Sequence, residues 1–406
     1  MNLVISKNKS VKWFYLLSIC IVMVSLSDMN LTVNAIFNKL EILIYVVSML
    51  IFVISIDLNL IKRNIIYLTI GIFSLFSCLW SANPNLTLKN SFLLLGLIIF
   101  ALNAVRYLER EDIIKVILVF FTLILILNIF SILFMKDISI QFDSRSGLTY
   151  RGLFYYRTGF AGYMGIILIY SLVSAYIFRK NKYIILCLFN IIISIILIAL
   201  GKAVTTMVVS VVCIVFFYLY KNTNRKLLLT ILIITPFIFS FILIYYGTTG
   251  FVEIFLLLGR DPTITGRTII WSSIVEMLSS NRFNSIFGFG TNTFWKIDSL
   301  RGYIDRNMGG FKTPHAHNGY LELILNWGYI GITLYGIQVI RIINNGIRKS
   351  IKLNMKIYSA LPIVFYFYIW CFNITENNLF NTTSIVGFLQ IILFSLLFNK
   401  TKKIIK

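Results

Sequence analysis

The chain has 406 residues, 58% of them hydrophobic and 13% charged, with a mean hydropathy of +0.87. No soluble domain of that length needs so much apolar surface, so composition excludes that class and leaves a polytopic membrane protein. The net charge of +22 does not point to nucleic acid, because Lys and Arg collect in the cytoplasmic loops of membrane proteins for reasons of topology.

In chain order, apolar runs of about 20 residues, each enough to cross a bilayer as a helix, give about twelve spans. They are residues 13–28, 40–57, 64–82, 90–106, 113–135, 158–178, 183–201, 203–220, 227–246, 319–340, 357–374 and 380–398. The first follows Lys7, Lys9 and Lys12 and is read as an uncleaved span, since many spans follow it. With both termini placed in the cytoplasm, every interior segment carries at least two basic residues, while the short exterior turns hold only Lys39, Lys89 and Lys202. That asymmetry sets the orientation. Three regions result: 1–246 with nine spans and an exterior loop at 136–157; a large exterior loop at 247–318 with short helices; and 319–406 with three spans and a basic tail. Cys20, Cys78, Cys187, Cys213 and Cys371 all fall in apolar runs, without metal spacing or a disulfide framework.

The two long exterior loops carry basic residues that topology does not explain. In the first, Arg145, Arg151 and Arg157 stand among Tyr150, Tyr155 and Tyr156. A planar guanidinium grips phosphate oxygens through paired hydrogen bonds, and aromatics suit a sugar face or the headgroup belt; interfacial anchoring is the plainer alternative. Lys202 follows a span directly in ALGKAVTTM. Such a lysine either meets an anion or reaches the interface. In the second loop, GRDPTITGRTIIWSSIVEMLSS reads as a turn and a short helix capped by Thr265, with Ile269, Ile270, Ile274, Met277 and Leu278 as an apolar face lying on the outer leaflet. Arg260 precedes this helix and Arg267 sits in its first turn, where free N–H groups favour an anion. Pairing of these arginines with Asp261 or Glu276 is the structural alternative. Gly288 and Gly290 permit a tight turn but lack the setting of a nucleotide-binding loop.

Both histidines of the chain, His315 and His317, lie in PHAHNGYLELI. Their spacing does not suit ligands from successive helical turns, and no Cys or carboxylate completes a metal set. Asn318 caps the tenth span and leaves His317 at the helix mouth. The positive helix end and nearby arginines hold its imidazole neutral, as a general base requires. Glu376 between the last two spans, or Glu322 one turn into the tenth, could orient His317 or an arginine.

The order of these elements resembles the O-antigen ligase/polymerase superfamily of bacterial envelope glycosyltransferases. An R-G-L-F segment opens a mid-chain span and a Gly-Lys junction follows. The long loop then carries G-R-x-x-x-W (Gly266, Arg267, Trp271), G-x-G and H-N before an L-E-L-x-x-x-x-G-Y-x-G helix. A Thr-Glu sits near the last span. The resemblance covers roughly residues 140–400. It implies a GT-C-like helical membrane enzyme and metal-independent, cofactor-free glycosyl transfer at the periplasmic face of the inner membrane, with an undecaprenyl-pyrophosphate-linked glycan as donor. His317 matches the family's essential histidine, and Arg267 and Arg151 its essential arginines, with Arg157, Lys202 and Arg260 as supports. At Lys202 the common ligase form has Ser-Arg, so the charge stays but the bidentate fork is lost. The Gly-Arg-Asp…Thr-Gly-Arg form is closer to polysaccharide polymerases than to ligases acting on lipid A-core. A chain-length regulator and a flippase are the implied partners. A flippase in its own right is the rival class, though it has little use for a loop holding both histidines.

Overall fold

Caps and breakers decide where the apolar runs become helices. The computed structural model describes residues 9–27, 29–30, 34–143, 147–224, 226–246, 266–347, 356–381 and 384–398. Arg145, Arg260, Asp261 and Thr265 lie outside these described residues. In chain order the helices are α1 (Lys9–Ser25), α2 (Asn34–Ile54), α3 (Leu58–Arg63), α4 (Ile65–Phe76), α5 (Pro84–Tyr107), α6 (Arg110–Phe134) and the single turn α7 (Lys136–Ser139). After a hairpin come α8 (Arg157–Ile177), α9 (Ile184–Gly201), α10 (Val204–Asn222) and α11 (Lys226–Tyr246). The loop region holds α12 (Arg267–Ser280), α13 (Arg282–Phe287) and α14 (Asp298–Asn307), and the chain continues with α15 (Gly319–Arg341), α16 (Lys356–Phe372) and α17 (Ile385–Phe398).

A helix occupies each of the twelve predicted spans. Eight of them (α2, α5, α6, α8, α9, α10, α11 and α15) are long and apolar enough to cross a membrane. The chain is an all-α polytopic membrane protein with almost no sheet. Local chemistry explains the boundaries. The Asp57 carboxylate accepts from Asn59 N and Leu60 N at the start of α3, and Asn83 accepts from Leu86 N with Pro84 at the first helical position of α5. The junction between the seventh and eighth spans is a true break: Lys202 adopts the left-handed conformation (φ 50°) that ends α9.

Two features depart from the sequence reading. The loop at 136–157 contains an antiparallel hairpin, β1 (Ile140–Asp143) with β2 (Gly147–Tyr150), Phe142 facing Leu148. And α12 does not lay its apolar face on a leaflet. Ile270, Trp271, Ile274 and Leu278 are buried in a small core with Phe294, Trp295, Leu321 and Leu325. Of the predicted stripe, Ile270, Ile274 and Leu278 are buried against protein and Met277 packs beside them, while Ile269 stays exposed.

That small core forms because α15 is broken. Gly328 has non-helical angles (φ 63°, ψ −159°) inside it. A broken helix in a membrane frees carbonyls that something must satisfy. Here the glycine-containing turn after α13 does so: Phe289 N donates to Leu325 O at 2.8 Å and Gly290 N to Asn326 O at 3.2 Å. The approach needs glycine on both sides. A Cβ on Gly288 would strike the Asn326–Trp327 peptide, and one on Gly328 the Ile286 carbonyl. Hydroxyls then pin the turn to α4 and α5, with Thr87–Thr293 at 2.6 Å, Ser91 to Thr291 at 3.1 Å and Trp327 Nε1 to Thr291 Oγ1 at 2.9 Å. The described part of the second loop, 266–318, is therefore anchored in the helical bundle rather than resting on it.

Candidate functional site

The histidine segment is built from its backbone outward. Asn318 caps α15 as expected, its Oδ1 accepting from Tyr320 N and Leu321 N at 3.0 and 3.1 Å. Its Nδ2 donates to Ser240 Oγ of α11 and to Ile374 O beyond α16, both at 3.1 Å. Three separate stretches of chain therefore meet at one buried side chain. Ala316, between the histidines, is clamped on both polar groups: its N–H donates to Glu322 Oε1 at 2.6 Å, and its carbonyl accepts from Trp271 Nε1 at 2.8 Å. Glu322 also accepts from Trp295 Nε1 at 2.9 Å. A buried carboxylate with two donors is well satisfied.

This clamp holds His317 in the left-handed region (φ 51°), which few residues other than glycine adopt. The His317 N–H donates to His315 Nδ1 at 3.2 Å, and the two rings lie 3.9 Å apart between centroids. Because His315 Nδ1 accepts, the neutral ring carries its proton on Nε2. Burial, and then the Arg267 charge, push His315 down to about 4. Burial, then His315, then Arg267 push His317 down to about 2. Both imidazoles are neutral at pH 7. His317 Nδ1 and Thr375 Oγ1 are buried without a hydrogen-bond partner among the described residues.

Arg267, the first residue of α12, donates to Thr375 O at 2.7 Å and pairs with Glu376 Oε1 at 3.4 Å. Both side chains are mostly covered, 16% and 19% exposed. Burial raises the Glu376 carboxyl, and Arg267 opposes that rise. Among the described residues the acidic partner of Arg267 is Glu376, just beyond the end of α16, rather than the Glu276 of the structural alternative; Asp261 lies outside the described residues. Of the two candidate orienting acids, Glu376 meets the arginine and Glu322 meets the histidine loop's backbone. Neither hydrogen-bonds the His317 ring among the described residues.

The remaining predicted cations form a second cluster. Arg157, the first residue of α8, pairs with Asp143 of β1 at 3.1 Å and donates to Lys202 O at 3.1 Å. Arg151 donates to Ile138 O at 2.8 Å and Tyr155 O at 3.1 Å. The Lys202 side chain is exposed. Tyr368 of α16 donates to Gly162 O of α8 at 3.2 Å. The start of α8 and the end of α16 therefore share one end of the bundle, and both clusters lie there. The structure brings His317, Arg267, Glu376 and Asn318 together, and Arg157 with the Lys202 backbone; no hydrogen bond or ion pair joins the two groups among the described residues. Sequence reasoning missed the Ala316 clamp and Thr375. The indoles of Trp271 and Trp295 were the available signal, since a buried indole N–H needs an acceptor.

A family model described as O-antigen ligase matches residues 188–336, the stretch from α9 through the histidine loop and most of α15. Exopolysaccharide production protein ExoQ of Rhizobium meliloti (strain 1021) is 22% identical over 285 residues, covering 66% of this chain and 62% of that protein. The match thus spans less than two thirds of the relative's own length. The family match takes in the clamped H-N loop and Arg267, and together with the similarity to the exopolysaccharide protein it supports the resemblance to the O-antigen ligase/polymerase superfamily.

Proposed function

We propose that the chain is a glycosyltransferase that polymerises a surface polysaccharide, joining repeat units carried on undecaprenyl-pyrophosphate at the periplasmic face of the bacterial inner membrane. The observation that carries this reading is an uncharged His317, locked by its backbone, beside Arg267 at one end of a helical bundle. In the reaction the acceptor sugar hydroxyl gives its proton to His317 as its oxygen bonds the donor's anomeric carbon. The bond from that carbon to the diphosphate breaks, and the electron pair leaves with the diphosphate. Arg267 stabilises the charge growing there, which acts on the transition state more than on the ground state. Arg151, Arg157, Lys202 and Arg260 support the same anion. Glu376 holds the Arg267 fork in place, and Asn318 with the Ala316 clamp holds the imidazole.

An imidazole this reluctant to take a proton is a weak base while the site is empty. A diphosphate beside Arg267 offsets the guanidinium, the smallest of the three causes that hold His317 down, and its own negative charge favours the imidazolium that forms as the acceptor reacts. Both substrates keep their prenyl tails in the bilayer. The name of the relative, an exopolysaccharide production protein, favours polymerisation; the description of the matched family, an O-antigen ligase, favours the second reading, transfer of finished glycan to lipid A-core. Deleting the gene and running the surface glycan on a gel tests both. Single-repeat product supports the polymerase. Unsubstituted core with lipid-linked polymer accumulating supports the ligase, and loss of every exported repeat unit would refute both.

A further inference from the structure

The hairpin between α6 and α8 is built inside out. Residues alternate between the two faces of a strand pair. Gln141, Asp143 and Thr149 share the face turned to the protein: Thr149 is buried and bonds Gln141 O at 2.9 Å, and Asp143 holds Arg157. Phe142 and its cross-strand partner Leu148 take the other face, 78% and 52% exposed. A hairpin facing water places its apolar residues inward. This one does the reverse, the arrangement expected where the outer side meets an apolar medium.

The apolar surface is also continuous with the bundle's lipid-facing side. Leu123, Leu127, Phe130 and Phe134 form an exposed ridge along α6, and Ile138 carries it across α7 to Phe142. Since α6 has 25 residues, it is about 37 Å long, more than the ~30 Å hydrocarbon core. The hairpin therefore starts at the headgroup boundary. Tyr155 and Tyr156, both exposed, flank it as interfacial aromatics do.

We propose that β1–β2 is a membrane wedge whose Phe142–Leu148 face inserts into the outer leaflet at headgroup depth, and that its other face, through Asp143, sets the height at which Arg157 opens α8. The wedge follows from the fold; only its use, holding Arg151 and Arg157 level with a lipid-linked diphosphate, rests on the proposed function.

The test uses the full chain in lipid nanodiscs, with Phe142→Trp compared with the parent by difference fluorescence, and Leu148→Trp as a second variant should the first fold poorly. Lipids brominated on the upper acyl chain are expected to quench the added emission by at least half, while aqueous iodide leaves it unchanged. Quenching by iodide alone, or a change in emission only when soluble glycan is added, overturns the proposal, the latter marking a sugar-binding face. A second arm separates the wedge from its use. Phe142→Asp with Leu148→Asp is expected to raise KM for a long-tailed donor about tenfold and leave KM for a short-tailed, soluble analogue within twofold. Bromolipid quenching without this split keeps the insertion and overturns the height-setting role.

Discussion

Two arginine-bearing loops meet at one end of this bundle, and they are held in opposite ways. The His317–Arg267 region is tied across the fold: Ala316 to Glu322 and Trp271, Asn318 to α11 and the turn after α16, Arg267 to Thr375 and Glu376. The side chains of the hairpin region reach mostly nearby chain, Arg151 to Ile138 and Tyr155 and Arg157 to Asp143, with Arg157 also bonding Lys202 O and Asn30 N donating to Leu153 O, and the hairpin turns its apolar side outward. Both loops looked alike in composition, with arginines among aromatics. The difference is in what fixes them. A group that must meet a reacting atom within a fraction of an ångström needs bonds from rigid elements, whereas a group that meets a lipid headgroup needs only the right depth.

The largest effects should therefore fall on the tied region. His317→Ala is expected to lower turnover about 10²–10⁴-fold, the usual worth of a general base, and Arg267→Ala about 10²–10³-fold, both with normal membrane insertion. Chain-length gels and single-turnover assays on lipid-linked repeat units measure this. Wild-type polymer from His317→Ala would remove the histidine from the chemistry. Next in size is the clamp. Glu322→Gln replaces one of the accepting oxygens by a donor that faces the Trp295 and Ala316 N–H groups. An unsatisfied buried donor costs about 1–3 kcal/mol, so kcat should fall about 10–100-fold while KM for the donor changes little. A rise in KM alone would show that Glu322 shapes binding rather than the position of His317.

How much of this was legible depended on how local the signal was. The helices follow from apolar runs, and Asn318 before GYLELI reads directly as a cap. The break at Gly328 did not show, because GYIG fits a membrane helix and its cause lies some 40 residues earlier in sequence, where Gly288 and Gly290 bring N–H groups to the freed carbonyls. The glycine pair was read as a turn without a partner. Apolar periodicity found the buried face of α12 but not what covers it, since helix-to-protein and helix-to-lipid packing ask for the same side chains. The hairpin was missed because each strand has only four residues and its polarity is reversed. Arg267 and His317 could be named from the sequence, but the Glu376 and Ala316 contacts that hold them could not, because each joins segments that only the fold brings together.

Acid should loosen the tied loop by a smaller step. Both histidines have folded values below the ordinary 6.5. The unfolded chain therefore binds protons between about pH 6.5 and 4 that the folded loop refuses, and stability falls as pH drops through that window. Protonated His315 can no longer accept the His317 N–H. The imidazoles are partly exposed, so solvent screening keeps the loss below that of a severed clamp. Thermal unfolding in nanodiscs from pH 7.5 to 4.5 is expected to show a midpoint that declines with acid, less steeply in His315→Gln. Equal slopes would place the responsible groups elsewhere.

The smallest effect separates the two roles of Arg157. Its pair with Asp143 is partly exposed, 17% and 24%, and such pairs contribute about 0–1 kcal/mol. Asp143→Asn keeps the shape and a neutral acceptor, so activity should change less than twofold. Arg157→Ala also removes the bond to Lys202 O and, on the proposed mechanism, a cation facing the diphosphate; KM for the donor should rise several-fold with kcat nearly unchanged. If the two substitutions match, Arg157 serves only to tie the hairpin to α8, and the anion is held by Arg267 with little help from this side of the bundle. If Arg157→Ala instead lowers kcat as far as Arg267→Ala does, the hairpin is as closely engaged with the reacting diphosphate as the clamped loop, and the division of labour between the two regions fails.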